Sequence, residues 1–257
     1  MTVGAVIVTF QTPAGTLDTC LKSLRPNGCA SIIVVANDPA ADIRLTTASR
    51  QAHYRVEPVN RGFAAAANRG AALLKSDLLL FINPDAALEP EALSLASGYL
   101  AAHPLCGIVG LLLISPRGLP ELRAFGRPVT PLSLFTRHLL PAVVPSLPLT
   151  VGWVSGGALL IRRRLFTRLH GFDERFFLYW EDVDLCRRAA KIGQQTVLVP
   201  AARAVHQRGL SLQNAALKTD LYDDSADKYF RKHYAPTICL CLRSLRYLYR
   251  FISPQVD

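Results

Sequence analysis

The chain has 257 residues, half of them hydrophobic, and 29 Lys and Arg against 19 Asp and Glu give it a net charge of +10. That length suits one large α/β domain with a proper core, and no Gly/Ser run, charge block, low-complexity tract or repeat marks a linker or a solenoid. No apolar stretch reaches the roughly 20 residues of a membrane span, and the N-terminus lacks the basic region and cleavage site of a signal peptide. A cytoplasmic protein with at most peripheral membrane contact is expected. The six cysteines, at 20, 29, 106, 186, 239 and 241, show no metal-ligand spacing and are expected as free thiols. The positive charge favours an anionic partner, with nucleic acid, an acidic lipid surface and a phosphorylated substrate all open.

In chain order, Val3 to Val8 reads as a buried strand closed by the loop Thr9 to Pro13, and Leu17, Cys20, Leu21 and Leu24 recur at helical spacing. Ile32 to Val35 and Tyr54 to Val56 read as strands. Gly62 to Lys75 is an Ala-rich helix, and Leu78 to Ile82 a strand broken by Asn83, Pro84 and Asp85. A helix over Ala92 to Leu100 and a strand over Ile108 to Ile114 follow. Residues 116–150, rich in Pro, Arg and Leu, predict a long ordered excursion without regular structure. Further on come a strand at Ala158 to Ile161, a helix at Glu181 to Ile192, a strand at Thr196 to Val199 and helix from about Leu217. Strands apolar throughout and alternating with helices predict a parallel sheet covered on both faces, with ligand outside the strands' carboxyl ends. The polar clusters Thr9 to Gln11, Asn37 and Asp38, and Asn83 to Asp85 fall there.

Four segments carry chemistry. Gly62 opens a helix whose free N–H groups suit a phosphate, and Asn68 lies two turns in. Asp85 offers a carboxylate at a strand end, where a hard divalent cation is held together with diphosphate oxygens. Aromatic residues 176, 177, 179 and 180 lead into Glu181 and Asp182, acids that open a helix; the helix N-terminus favours an ionised Asp182 able to accept a proton. Asp184 reads as the ion-pair partner of Arg187 or Arg188. His206, expected in a loop after the strand ending at Val199, suits a neutral imidazole ligand to the same cation.

Together these segments resemble the family 2 glycosyltransferases, especially the rhamnosyltransferase-like branch of bacterial polysaccharide biosynthesis. The matching pieces are Val6 to Phe10, Asn60 to Phe63 with Asn68 and Gly70, Asn83 to Ala86, Ser155 to Ala158 with Arg162 and Arg163, Gly171 to Phe177, Glu181 to Arg187, and His206 with Gly209 and Ser211. Tyr229 to His233 resembles a basic-aromatic stretch near the family's C-terminal end. The resemblance implies a GT-A fold, a Rossmann-like, mostly parallel sheet flanked by helices with an acceptor-binding C-terminal part. It divides the chain into a domain over 1–235 (1–115 binding the nucleotide-sugar, 116–235 the acceptor and catalytic half) and a tail over 236–257. It implies inverting transfer from a nucleoside-diphosphate sugar to a glycan or lipid-linked saccharide, with Mg²⁺ or Mn²⁺ as cofactor and rhamnose from a dTDP donor as first candidate. By the same resemblance Asp85 and His206 are metal ligands and Asp182, with Glu181 beside it, the base. Thr9, Phe10, Asn37, Asp38, Asn60, Gly62, Phe63, Asn68, Asn83 and Gly157 are substrate-binding, with Thr9, Asn37 and Asp38 in the nucleobase and ribose pocket and Asn60 to Asn68 in the nucleotide-sugar cradle. Arg123 would approach phosphates, and Trp153 and Trp180 would offer sugar-stacking faces or core packing.

Two positions depart from the family pattern. The second strand ends Val35, Ala36, Asn37, Asp38 where the family has Val-Asp-Asn, and Phe10, Gln11 replace Tyr-Asn. Residues 237–252 put Arg243, Arg246 and Arg250 on one helical side, suiting either an anionic membrane surface or docking on the domain. A catalytically inactive partner subunit and a basic nucleic-acid-binding protein are the alternatives; the latter lacks interleaved aromatics or a reading helix, so no nucleic acid is expected.

Overall fold

The structure, a computed structural model, describes residues 1–38, 44–136, 143–207, 215–240 and 242. Its first half runs β1 (Val3–Thr9), α1 (Ala14–Leu24), β2 (Ser31–Ala36), α2 (Arg44–Ser49), β3 (His53–Val56), α3 (Phe63–Leu73), β4 (Leu78–Ile82), β5 (Ala86–Leu88), α4 (Ala92–Ala102) and β6 (Cys106–Ile114). The second runs β7 (Phe125–Gly126), α5 (Pro131–Thr136), β8 (Leu149–Val151), β9 (Trp153–Val154), β10 (Ala158–Arg162), α6 (Arg163–Arg168), α7 (Glu181–Lys191), β11 (Gln195–His206) and α8 (Ala215–His233).

The central sheet follows the order β3-β2-β1-β4-β10-β6-β11-β5, with β8 added to β11. Its strands are buried on both faces: Ala5, Ile7, Val34 and Leu80 pack towards α1, while Val6, Val35, Leu79 and Phe81 pack towards α3. Helix α3 can lie close because its buried face is Ala64, Ala67, Gly70 and Ala71; a Cβ on Gly70 would sit 2.6 Å from Val6 Cγ1.

The sheet is mixed rather than parallel throughout, because β10 runs antiparallel to both β4 and β6. A strand buried on both faces is apolar in either direction, so hydrophobic patterning carries no polarity. The excursion that leads to β10 was expected to lack regular structure but holds β7, α5 and the start of β8, elements too short to leave a periodic pattern. The last strand also differs from expectation. It continues past Val199 to His206 through a register shift between Val199 and Arg203. Pro200 lacks an N–H for the ladder, and the resulting irregularity re-aims the strand without ending it. His206 therefore stands on a strand, directly opposite Ala86 of β5.

At the far side, α8 docks on α7 through Phe176, Trp180, Val183, Ala226, Tyr229 and Phe230. Asp184, fully buried, receives Arg188 at 2.6 Å, Lys232 at 2.6 Å and His233 at 2.8 Å. The i,i+4 pairing foreseen for Asp184 is present, and the basic end of α8 joins it. Cys20, Cys29, Cys106 and Cys186 are buried free thiols and Cys239 is a free, partly exposed one. Cys241, Gly209, Ser211 and the arginines at 243, 246 and 250 lie outside the described residues. Among the described residues no helix is long and apolar enough to cross a membrane.

Candidate active site

The polar loops at the carboxyl ends of β1, β2 and β4 converge with residues from β11 and the head of α7. Asp85 leaves β4 through the Asn83-Pro84 turn and is 5% exposed. Its Oδ1 lies 3.2 Å from His206 Nε2, and its backbone carbonyl accepts the Gln207 N–H at 2.9 Å. That Oδ1 is buried without a hydrogen bond. On its other side, His206 Nδ1 lies 3.0 Å from Glu121 Oε1. Burial alone would lower the imidazole pKa, but Asp85 and Glu121 outweigh it and the net shift is upward. A carboxylate oxygen left unpaired against an imidazole nitrogen is a donor pair that a divalent cation would satisfy. Among the described residues no group of three His, Cys, Asp or Glu side chains could hold a metal ion.

Asp182 opens the other wall. Its Oδ2 accepts the Gly156 N–H at 2.9 Å and its Oδ1 the Val183 N–H at 2.7 Å. Its neighbour Glu181 is 6% exposed, and Glu181 Oε2 has no hydrogen-bond partner. Burial pushes both carboxyls up, Glu181 well above the usual range with the Asp182 charge adding to it, while the N–H donors restrain Asp182. The helix N-terminus was expected to hold Asp182 low; desolvation wins instead. Of the two, Asp182 is held as the carboxylate because both its oxygens accept N–H groups, so a proton on the pair resides on Glu181.

The two walls are joined by the turn from Ser155 to Gly157. Gly156 donates to Asp182, while the Gly157 carbonyl accepts the Asn83 N–H at 3.0 Å. Asn83 Nδ2 in turn lies 3.4 Å from His206 Nε2. A side chain at Gly157 would meet Leu113 at 2.9 Å and Asn83 Nδ2 at 3.4 Å, so the close approach needs glycine. Ahead of α7, Tyr179 and Trp180 are both left-handed, at φ 68° and 69°. For bulky residues this is strained backbone, about 1–3 kcal/mol each, held by the packing of Trp180 on Tyr222, Tyr229 and Phe230.

The residues expected at the donor site sit as follows. Thr9 is 2% exposed, its Oγ1 unpaired, and its carbonyl accepts the Asn37 N–H at 2.8 Å. Asn37 binds Asn60 Oδ1 at 2.6 Å and the Gly62 carbonyl at 3.1 Å, and accepts the Arg61 N–H at 3.2 Å. Its amide thus shapes the turn into α3. Ala36 is fully buried in the core beneath α1. Gly62, at φ 86°, lets the helix start against Phe177, whose carbonyl accepts the Phe63 N–H at 2.7 Å. Asn68 gives its amide to the Phe172 carbonyl at 2.9 Å and Glu174 at 3.2 Å, and accepts the Phe172 N–H at 2.9 Å. It clamps the segment leading to α7. Phe10 and Asp38 are partly exposed at the strand ends and Arg123 is exposed. Trp153 is partly buried between two core clusters, and Trp180 at 6% exposure is a core residue rather than an open stacking face. Glu121 was missed by sequence reading, since its contact with His206 spans 85 residues and its surroundings read only as an Arg-rich loop.

The mixed sheet flanked by helices, with an Asp at the end of a central strand, a histidine beside it and acids opening a helix opposite, is that of a glycosyltransferase of the GT-A class. The chain belongs to the glycosyltransferase-like family 2, whose family model matches residues 2–219. It is 29% identical over 237 residues to an N-acetylglucosaminyl-diphospho-decaprenol L-rhamnosyltransferase of Mycobacterium tuberculosis, covering 80% of this chain and 76% of the relative. Over 56 residues, 22% of this chain and 21% of the relative, it is 43% identical to the rhamnosyltransferase WbbL of Escherichia coli K12. Among solved structures it resembles GalNAc-T7 with UDP, GalNAc and Mn²⁺, at TM-score 0.69 and 15% identity over 90% of this chain and 48% of that one. It also resembles the mannosyltransferase PcManGT of Pyrobaculum calidifontis with GDP-Man and Mn²⁺, at TM-score 0.58 and 15% identity over 96% and 79%. The chain spans about half the length of GalNAc-T7. The structural likeness establishes the fold, and nothing found favours the inactive-subunit or nucleic-acid alternatives.

Proposed function

We propose that this chain transfers a hexose, with rhamnose the first candidate, from a nucleoside-diphosphate sugar to a lipid-linked saccharide, inverting the anomeric carbon. The observation that carries the reading is the run of hydrogen bonds from Asp182 through Gly156, Gly157 and Asn83 to His206, whose Nε2 lies 3.2 Å from Asp85 Oδ1. It supports the reading of Asp182 as base and Asp85 as cation ligand, because one frame of hydrogen bonds holds the two walls together. Asp182 takes the proton of the acceptor hydroxyl as its oxygen bonds to the anomeric carbon and the bond to the diphosphate oxygen breaks. The Gly156 and Val183 N–H groups keep that carboxylate oriented. Asp85 and His206 are the residues to hold Mg²⁺ or Mn²⁺, which when bound neutralises charge on the departing diphosphate. Thr9 and the Asn37–Asn60–Gly62 turn shape the nucleotide pocket, and Arg123 approaches phosphate.

The division into a donor half at 1–115 and an acceptor half at 116–235 belongs to the same reading. A lipid acceptor and contact with the inner membrane face are supported by the excursion after β6. There Leu119, Leu122, Leu132, Val143 and Leu147 are exposed among the exposed Arg117, Arg123 and Arg127. The test is incubation with a panel of nucleoside-diphosphate sugars, dTDP-rhamnose included, and an N-acetylglucosaminyl-diphospho-polyprenol acceptor. The expected product carries one added sugar whose anomeric configuration, read by NMR, is inverted from the donor's. A retained configuration, or donor hydrolysis without transfer from any sugar, contradicts the proposal.

A further inference from the structure

We infer that Glu121 is the positioning residue that fixes the tautomer and orientation of His206 for cation binding. The inference rests on the proposal that Asp85 and His206 hold the cation. His206 can present a lone pair at Nε2, beside Asp85 Oδ1, only if its proton is on Nδ1. Glu121 Oε1, 3.0 Å from Nδ1, is the acceptor for that proton.

Three features make Glu121 a fixed partner. It is 6% exposed, so water does not compete freely for the bond. Its N–H donates to the Leu113 carbonyl at 2.8 Å and its carbonyl accepts the Ala124 N–H at 3.0 Å, which lock its backbone to the end of β6. The adjacent Pro120 bridges Ile114. The same short loop reaches the base as well: the Ala124 carbonyl accepts the Ser155 N–H at 2.7 Å, one residue before the glycine that donates to Asp182. A carboxylate that accepts the far N–H of a liganding imidazole both orients the ring and strengthens its lone pair, and its loss typically costs about 10–100-fold in metal affinity.

The experiment combines nitrogen-15 NMR of the histidines, at a pH where His206 is neutral and without metal, with calorimetric titration of Mn²⁺ in the presence of dTDP. In the wild type His206 is expected as the Nδ1–H tautomer. Glu121→Ala is expected to shift His206 towards Nε2–H and to weaken Mn²⁺ binding about 10–100-fold. Glu121→Gln, whose side-chain oxygen still accepts from Nδ1, is expected to keep the tautomer and lose less affinity. A purely structural role would lower Tm in Glu121→Ala while leaving tautomer and affinity unchanged, which overturns the inference, as does an Nε2–H tautomer in the wild type. If wild type and Asp85→Ala alike show no Mn²⁺ response, the cation site falls and this role with it. If Asp85→Ala abolishes a response that Glu121→Ala leaves at wild-type strength, only the positioning role falls.

Discussion

The two carboxylate sites differ in how the fold handles their charge. At the end of β4, Asp85 is buried with an oxygen unpaired beside an imidazole, and Glu121 holds that imidazole from behind. At the head of α7, Glu181 and Asp182 are adjacent acids with no cationic side chain paired to them among the described residues, and both Asp182 oxygens accept backbone N–H groups while Glu181 Oε2 is left without a partner. In the proposed reading, the first site is completed by a cation that arrives with the substrate, and the second keeps a carboxylate able to take a proton. The roles proposed for them, a ligand for metal and a base for protons, use the same residue type in two environments.

Asp182→Asn gives the largest expected effect. Turnover should fall by about 10²–10⁴-fold while nucleotide binding stays near wild type, because only the proton acceptor is lost. Comparing steady-state rates with calorimetric affinity checks this, and a matching loss of affinity would place Asp182 in donor binding instead. Gly62→Ala comes next. A Cβ there would sit 2.3 Å from the Phe177 carbonyl on a backbone at φ 86°, so the approach to α7 must shift. Thermal unfolding should show a loss of more than about 1 kcal/mol, with turnover falling alongside. An unchanged Tm would mean the loop yields without cost.

The pH dependence follows from burial. Asp182 is raised above the ordinary Asp value of 3.8, and a base works only when deprotonated. The acid limb of kcat/KM should therefore lie above that value, with activity rising through it; a limb at or below it contradicts the assignment. The smallest effect on turnover is expected from Glu181→Gln, within a few-fold, because Asp182 and not Glu181 is the proposed proton acceptor and burial pushes the Glu181 carboxyl up. Its stability signature has a definite sign. A carboxyl raised in the folded state contributes most below its ordinary value of 4.5 and loses that contribution as pH rises towards the folded pKa. Glu181→Gln should gain Tm over wild type as pH increases, by at most about 1.4 kcal/mol per pH unit. A gain independent of pH would show that Glu181 ionises freely.

The first half of the molecule was legible because burial on both faces makes β1, β2, β4 and β6 continuous apolar runs, each closed by a turn residue. Asp85 and Asp182 were legible for the same reason, as carboxylates standing where such a run or a helix changes. What hid was long-range or directional. The antiparallel sense of β10 leaves no mark on the apolar run Ala158 to Ile161, and a proline inside β11 read as an end. The short elements α2, β5, β7, β8, β9, α5 and α6 carry too few residues for periodicity. Glu121 reaches His206 only through the folded loop, and Trp180, chemically suited to a sugar face, was claimed by packing against α8.

The most direct measurement compares Asp85→Ala, Asp182→Asn and wild type by calorimetric titration with dTDP, with Mn²⁺ and then with EDTA, alongside turnover. The division of labour predicts metal-dependent binding in wild type and Asp182→Asn, at least about 100-fold weaker binding in Asp85→Ala, and loss of turnover in both variants. Metal-dependent binding that survives Asp85→Ala, or disappears with Asp182→Asn, would contradict it.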